Sequence, residues 1–136
     1  MFVKQLTVFI ENRAGRLEDV AKALRDNGIN IASVSLADTS DYGLLRFIVS
    51  DYEKAVKVLK ESGFSAKVSD VVAVKLTQEV GQLNELLNIL SGINVNIEYM
   101  YGLTSDDQSA FIVLKTSDQD ATLAAVKDAG YELYTA

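Results

Sequence analysis

Two stretches of the chain, 66 positions apart, follow one pattern of residues. Residues 8–17 read VFIENRAGRL and residues 74–83 read VKLTQEVGQL, so that a glycine and a leucine coincide. Residues 28–31 (GINI) recur as residues 92–95 (GINV), two positions earlier than that spacing requires. Because a repeat of this length is a whole small domain rather than one unit of a solenoid, the sequence predicts two similar domains in tandem.

The predicted domains span residues 1–69 and 70–136, and each is small for an independent fold. Domains of this size bury a smaller share of their surface than larger domains do and are marginally stable alone. Hydrophobic residues make up 49% of the chain, which suffices for two cores and argues against disorder. We expect the domains to pack on each other, with residues 67–76 running from one strand into the next around a bend.

The charge of the chain argues against polyanionic partners. The sequence has 13 basic and 19 acidic residues, for a net charge of −6, and the basic residues form no stripe. Nucleic acids and anionic membranes are attracted to positive patches. We therefore expect neither as a partner.

Two residue types that carry much of enzyme chemistry are missing, since the sequence contains no His and no Cys. Their absence excludes imidazole bases, thiolate nucleophiles, disulfides and most transition-metal sites. No apolar run is long enough to cross a bilayer, and no secretory signal pattern opens the sequence. We expect a cytoplasmic protein without a cofactor or a metal.

Hydrophobic periodicity gives the same order of elements in both halves. Alternating β-formers predict strands, and apolar residues at i, i+3, i+4 and i+7 predict helices. In the first half the predictions are strands Val3–Glu11, Ile29–Ala37, Tyr42–Ser50 and Phe64–Val68, with helices starting at Arg16 and Ser50. In the second half they are strands Val71–Leu76, Ile93–Leu103, Ser109–Lys115 and Tyr131–Thr135, with helices starting at Gln82 and Ser117. This order predicts the α+β class, with two tandem ferredoxin-like βαββαβ domains whose antiparallel sheets carry helices on one face.

Short motifs predict where three helices begin or end. Ser50-x-x-Glu53 is a capping-box pattern, and Ser117-x-x-Asp120 repeats it. Both serines are therefore predicted N-caps. Gly28 stands where a residue with positive φ ends the first helix.

The second strand of each half has a different pattern of faces. In the second half Ile97, Tyr99 and Tyr101 alternate with polar residues, which predicts one row that faces the core. In the first half the equivalent polar positions include Val34 and Leu36. This suggests a covered face in a dimer or interdomain contact, although scattered surface hydrophobes are also common. The two tyrosines could instead line a pocket or an interface.

The segment between the first strand and the first helix is the strongest candidate site. Gly15 lets the backbone approach a ligand, and the helix start offers unpaired N–H groups that suit a carboxylate. Asn12 provides an amide donor and an acceptor, and Asn30 provides both at the start of the second strand. A small amino acid needs both kinds of group, so we expect it as the ligand class.

Each of these residues also has a purely structural interpretation. Asn12 could cap the first helix, Gly15 could be a turn glycine, and Asn30 could stabilise the bend after the helix. Arg13 and Arg16 could attract an acidic ligand or be solvated. The residues alone leave these alternatives open.

The pattern Asn-Arg-x-Gly-x-Leu, followed by a helix and Asn-Gly-Ile-Asn-Ile, resembles the ACT domain. The resemblance covers essentially the whole chain, once per half. It is close to the regulatory domain of phosphoglycerate dehydrogenases, in which two asparagines at these points hold the effector serine. It implies an amino-acid effector held between neighbouring ACT domains, by the loop of one and the second strand of the other.

The resemblance implies one set of ligand-binding residues in each half. The first set is Asn12, Arg13, Ala14, Gly15, Arg16, Leu17, Asn30 and Ile31. The second set is Gln78, Val80, Gly81, Gln82, Leu83, Asn94 and Val95.

The two sets are not identical, and both depart from the family pattern. Many members have Pro in the loop, which this chain lacks altogether, and Gln78 stands where Asn12 would be. Two unequal sites, or one functional and one vestigial site, are both open. If the halves pack side by side, Asn12 is expected to pair with Asn94, and Gln78 with Asn30.

Other classes of protein share this topology. Residues 13–16 faintly resemble the phosphate loop of acylphosphatase-like hydrolases, but no general base has an obvious neighbour, so we expect no enzyme. RNA-recognition motifs need exposed aromatics and a positive field, which the polar sheet face and the net charge oppose. The acidic turn residues lack EF-hand spacing, so we expect no metal site; they are Asp38, Asp41, Asp51, Asp106 and Asp107.

The sequence thus favours a stand-alone regulatory protein, expected to be a homodimer, that binds a small amino acid and passes the signal to a metabolic enzyme. The alternative is a ligand-free scaffold that assembles a separately encoded enzyme. Every residue considered above also fits that alternative.

Overall fold

The computed structural model describes residues 1–38, 41–77, 79–105 and 107–135, with Asp38 described by its backbone alone. None of the helices in these ranges is long and apolar enough to cross a membrane.

The chain forms two compact units. The first is Lys4–Ser69, and the second is Asp70–Ala136 together with Met1–Val3. Phe2 packs against the core of the second unit. Each unit is described by itself below.

The first unit has the predicted order of strands and helices. Its elements are β1 (Val3–Glu11), α1 (Arg16–Asp26), β2 (Ile31–Asp38), β3 (Tyr42–Val49), α2 (Tyr52–Glu61) and β4 (Ser65–Lys75). The strand order is β2-β3-β1-β4, with β3 antiparallel to both β1 and β2. β4 is one uninterrupted strand that continues from the first unit into the second, and residues 69 and 70, predicted as a bend, lie within it.

The core of the first unit follows from the two periodicities. Leu6, Val8 and Ile10 alternate along β1 and are buried against Val20 and Leu24 of α1. Alternation places every second residue of a strand on one face, and a spacing of four places helix residues on one stripe. Apolar burial along these rows is therefore what holds α1 on the sheet.

The second unit repeats this plan with a weaker last strand. Its further elements are α3 (Gln82–Gly92), β5 (Ile97–Thr104), β6 (Ala110–Thr116) and α4 (Gln119–Asp128), in the strand order β4-β6-β5. The predicted strand Tyr131–Thr135 is reduced to a single bridge between Leu133 and Val74. Two backbone bonds flank it, Lys75 N–H to Glu132 O at 2.9 Å and Tyr134 N–H to Ala73 O at 3.0 Å.

The start and the faces of β5 differ from the prediction. The strand begins at Ile97, because Ile93 is the C-cap of α3 and Asn94 has a φ of 59°. A register shift between Ile97 and Tyr99 then reverses the alternation. Tyr99 pairs with Lys115 and Tyr101 with Val113, on the face opposite Ile97. The two tyrosine rings stack on each other at 6.5 Å.

Two helix caps lie one residue beyond the predicted ones. Asp51 is the N-cap of α2 and accepts from Lys54 N–H, while Asp118 is the N-cap of α4 and accepts from Ala121 N–H. Both have the extended backbone typical of an N-cap. Ser50 does not cap α2, and Ser117 does not cap α4.

Candidate functional site

The loop between β1 and α1 presents an open helix start. Gly15 is the N-cap of α1 with a φ of 88°, and no side chain caps the helix. The structural alternative for Asn12, a helix cap, is thereby wrong. Asn12 N–H donates to Asp41 O at 3.2 Å, and within the described ranges its side-chain amide has no hydrogen-bond partner. The left-handed φ favours glycine, because a side chain there is strained.

The two arginines of this loop have different surroundings. Arg13 is exposed and donates to Glu11 Oε2 at 2.9 Å. This hydrogen bond and the charge of Arg13 lower the pKa of Glu11. Arg16 is not simply solvated, since its guanidinium lies 4.4 Å from the centre of the Phe64 ring and bonds Asp19 at 3.0 Å. The loop is therefore anchored to the unit through Arg16 rather than Arg13.

The equivalent loop of the second unit has the same backbone with different side chains. Gly81 is the N-cap of α3 with a φ of 87° and no side-chain cap. Gln82 accepts from Thr77 N–H at 3.3 Å, and Val80 is fully exposed. Gln78 lies outside the described residues. This loop carries no arginine, so its surface is less charged.

The start of the second strand shows that the short motif misaligns the repeats. Asn30 N–H donates to Ser50 Oγ at 3.0 Å, and Ser50 N–H donates back to Asn30 O at 3.0 Å. In the second unit the same pair of bonds joins Asn96 and Ser117, at 2.9 Å each. Asn96 is therefore the counterpart of Asn30, and the alignment of Asn94 with Asn30 is wrong.

Asn94 has a different counterpart. With its φ of 59° it takes the left-handed position that Gly28, with a φ of 69°, occupies in the first unit. Asn is the non-glycine residue that tolerates this conformation best. The spacing of 66 that relates Gly15 to Gly81 thus holds through the helix and into the strand, and it is the signal that could have identified Asn96.

A surface cavity occurs at the same place in both units, between the end of the helix and the start of the second strand. In the first unit it measures about 410 Å³ and is lined by Ala21, Arg25, Gly28, Ile29, Asn30 and Ile31. In the second unit it measures about 300 Å³ and is lined by Leu87, Leu90, Ser91, Asn94, Val95, Asn96 and Ile97. Six of these positions correspond at the spacing of 66. Arg25 and Ser91 were not among the residues singled out from the sequence.

Within one unit the loop and the cavity lie at opposite ends of the same helix. Asn12 precedes α1, and Asn30 follows it. Because α1 has 11 residues, a rise of 1.5 Å per residue separates its ends by about 16 Å. A small amino acid cannot span that distance. The predicted residues therefore fall into two separate groups in each unit, which we call the candidate half-sites.

The acidic turn residues were also considered as ligands for a metal ion. No group of three or more potential ligands lies together in the described part of the chain, which omits Asp106 and the side chain of Asp38. Asp51 acts as a helix cap. Asp107 accepts from Ser105 and from Ser109 N–H, and these bonds lower its pKa to about 2. Asp51 and Asp107 thus have structural roles.

Residues 1–129 match the family model described as an ACT domain pair. The chain belongs to the ACT domain pair family. This confirms the resemblance seen in the sequence, and the repeat of a βαββαβ unit is the fold expected of such a pair. Comparison with curated proteins gave no match.

Solved structures resemble the whole ACT pair. Protein BT0572 from Bacteroides thetaiotaomicron has 36% sequence identity and a TM-score of 0.91, covering 98% of this chain and 92% of that one. The ligand-free regulatory subunit of aspartate kinase from Thermus thermophilus has 18% identity and a TM-score of 0.65, covering 93% and 92%. The corresponding subunit from Thermus flavus has 20% identity and a TM-score of 0.62, covering 93% and 91%. The two aspartate kinase subunits show that the fold is shared.

Proposed function

We propose that this ACT pair is a regulatory protein that binds a small amino acid and passes the signal to a metabolic partner. The observation that carries the proposal is the repetition of both half-sites. Each unit has an uncapped helix start at a left-handed glycine and a cavity with an asparagine at the end of the same helix. We infer no catalysis at either half-site.

The two half-sites suit the two charged groups of an amino acid. A helix start presents N–H groups and a partial positive charge, which favour the carboxylate. A helix end presents carbonyl groups and a partial negative charge, which favour the ammonium group. The side-chain oxygen of Asn30 or Asn96 adds an acceptor beside that helix end.

One ligand would therefore draw its contacts from two ACT domains. The separation of about 16 Å along α1 prevents both half-sites of one unit from meeting one small ligand. A site shared between domains binds one arrangement of the domains better than another, which is the requirement for an allosteric signal. In the second repeat we expect Asn96, rather than Asn94, to contribute from the strand.

Calorimetric titration of the protein with each of the twenty amino acids tests the proposal. We expect heat of binding for one chemical class, with affinity lost in Asn30→Ala or Asn96→Ala. Asn88→Ala is a matched control, because Asn88 is an exposed asparagine on α3 that lines neither cavity. If no amino acid binds, the proposal is wrong and the ligand-free scaffold takes its place.

The class of the partner enzyme is the last part of this proposal. The Thermus subunits are described as regulatory subunits of aspartate kinase, and at their sequence identity they establish the fold alone. We therefore propose an enzyme of amino acid metabolism as the partner. Co-purification that depends on an added amino acid would support it, and co-purification indifferent to every amino acid would oppose it.

A further inference from the structure

We propose that the two repeats accept different classes of amino acid: the cavity with Arg25 takes an acidic amino acid, and the cavity with Ser91 takes a small neutral one. This rests on the proposed function and adds the ligand class. The argument begins from the correspondence of the two cavities, because equivalent positions can be compared one by one.

Charge is the first difference between the cavities. Arg25 is the only charged side chain among the described residues that line the first cavity, and the second has none. Ser91 occupies the position of Arg25. A guanidinium group offers five N–H donors in a planar fork that matches a carboxylate. A second carboxylate on the ligand would therefore find a partner in the first cavity and none in the second.

Arg25 has donors to spare for a ligand. Its Nε and Nη2 donate to Asp26 Oδ1 at 3.2 and 3.0 Å, and its side chain is 73% exposed. An exposed ion pair of this kind contributes little to stability, so a ligand carboxylate can compete with Asp26. Lys22 Nζ lies 3.9 Å from the other Asp26 oxygen, Oδ2. Because both of these bonds of Arg25 go to Asp26, removal of the Asp26 carboxylate would free the guanidinium group for a ligand.

Size is the second difference between the cavities. Ala21 lines the first cavity where Leu87 lines the second, and the volumes are about 410 and 300 Å³. The position of Gly28, which has no side chain, is filled by Asn94. The larger cavity has space for a side chain that ends in a carboxylate. The smaller cavity has less space, and neutral hydrogen-bonding side chains line it, which suits a small neutral ligand.

The test is calorimetric titration with L-aspartate, L-glutamate, L-serine and L-alanine. We expect Arg25→Ser to weaken the binding of the acidic ligand about fivefold, as for an exposed ion pair, and to leave the neutral ligand unchanged. Asp26→Asn is expected to strengthen the acidic ligand. Ser91→Arg is expected to give the second cavity affinity for it. High salt should reduce the preference, because exposed charges are screened.

Lys60→Ser is the matched control, since it removes one exposed positive charge from the last turn of α2, where it lines neither cavity. If Lys60→Ser and Arg25→Ser weaken the acidic ligand equally, only the general charge of the unit matters and the inference is wrong. If neutral amino acids bind both cavities and no acidic one binds, the inference fails while the proposed function stands. If none of the twenty amino acids binds, both fail.

Discussion

At the scale of single residues, Arg16 anchors the candidate loop to its unit. Its side chain is 19% exposed, lies over the Phe64 ring at 4.4 Å and bonds Asp19. Arg16→Ala removes a cation–π contact and the packing of its stem, so we expect a loss of about 1–2 kcal/mol in the free energy of unfolding. Arg13→Ala should cost much less, because the Arg13–Glu11 pair is exposed. Urea denaturation measures both, and equal losses would contradict this account.

Asp107 makes stability depend on pH in a defined window. Bonds from Ser105 first and then from Ser109 N–H lower its pKa from 3.8 to about 2 in the folded chain. The unfolded chain therefore binds this proton more readily, and the stabilisation is present above pH 3.8 and lost as the pH falls through 2. We expect Asp107→Asn to flatten the dependence of melting temperature on pH between 4 and 2. The control is Asp120→Asn, at an exposed aspartate in the first turn of α4. An unchanged slope in Asp107→Asn would refute the assignment.

At the scale of elements, the adjacent residues Ser50 and Asp51 have two different roles, one at a strand start and one at a helix start. Asp51 caps α2, while Ser50 Oγ accepts from Asn30 N–H at the start of β2. Asp51→Ala should therefore lower the free energy of unfolding by about 1 kcal/mol through loss of the cap. Ser50→Ala should instead speed hydrogen exchange at Asn30 N–H and leave the first turn of α2 protected. Exchange measured by NMR separates the two effects, and faster exchange in α2 for Ser50→Ala would restore the serine as the cap.

The same elements show what sequence patterns could supply. Periodicity predicted the four helices and the order of the strands, because every second or fourth residue must be buried. The choice between adjacent serine and aspartate caps depends on backbone angles that the motif does not fix. The register of β5 depends on a bulge near Glu98, which reverses the faces of Tyr99 and Tyr101. One extra residue in a strand has this effect, since side chains alternate with a period of two.

At the scale of the whole molecule, the sequence repeat predicted the family and the two glycine loops. Matching identical residues in the two halves nevertheless aligned Asn94, instead of Asn96, with Asn30. GINI and GINV look equivalent, but the second motif begins two residues too early to match the backbone. Positive φ values at Gly28 and Asn94 and the paired bonds of Asn30 and Asn96 reveal the true correspondence. Geometry around a strand start is set by contacts far apart in sequence, such as those of Ser50 and Ser117, so a local motif could not supply it.

The outer strand of the first unit makes the last prediction, which concerns the number of chains in solution. β2 ends the strand order, and its Val34 and Leu36 pair with the buried Phe47 and Leu45 of β3, so they lie on the core face and not on the far face expected from the sequence. They are nevertheless 56% and 50% exposed. Exposed apolar side chains on an edge strand favour pairing with another chain.

We expect sedimentation velocity to show a dimer. Leu36→Glu is expected to shift the protein to a monomer, because a charge buried in the contact would oppose association. Val68→Glu, at an exposed valine of β4, should leave the dimer intact. A wild-type monomer, or equal effects of the two variants, would show that the β2 surface does not pair chains.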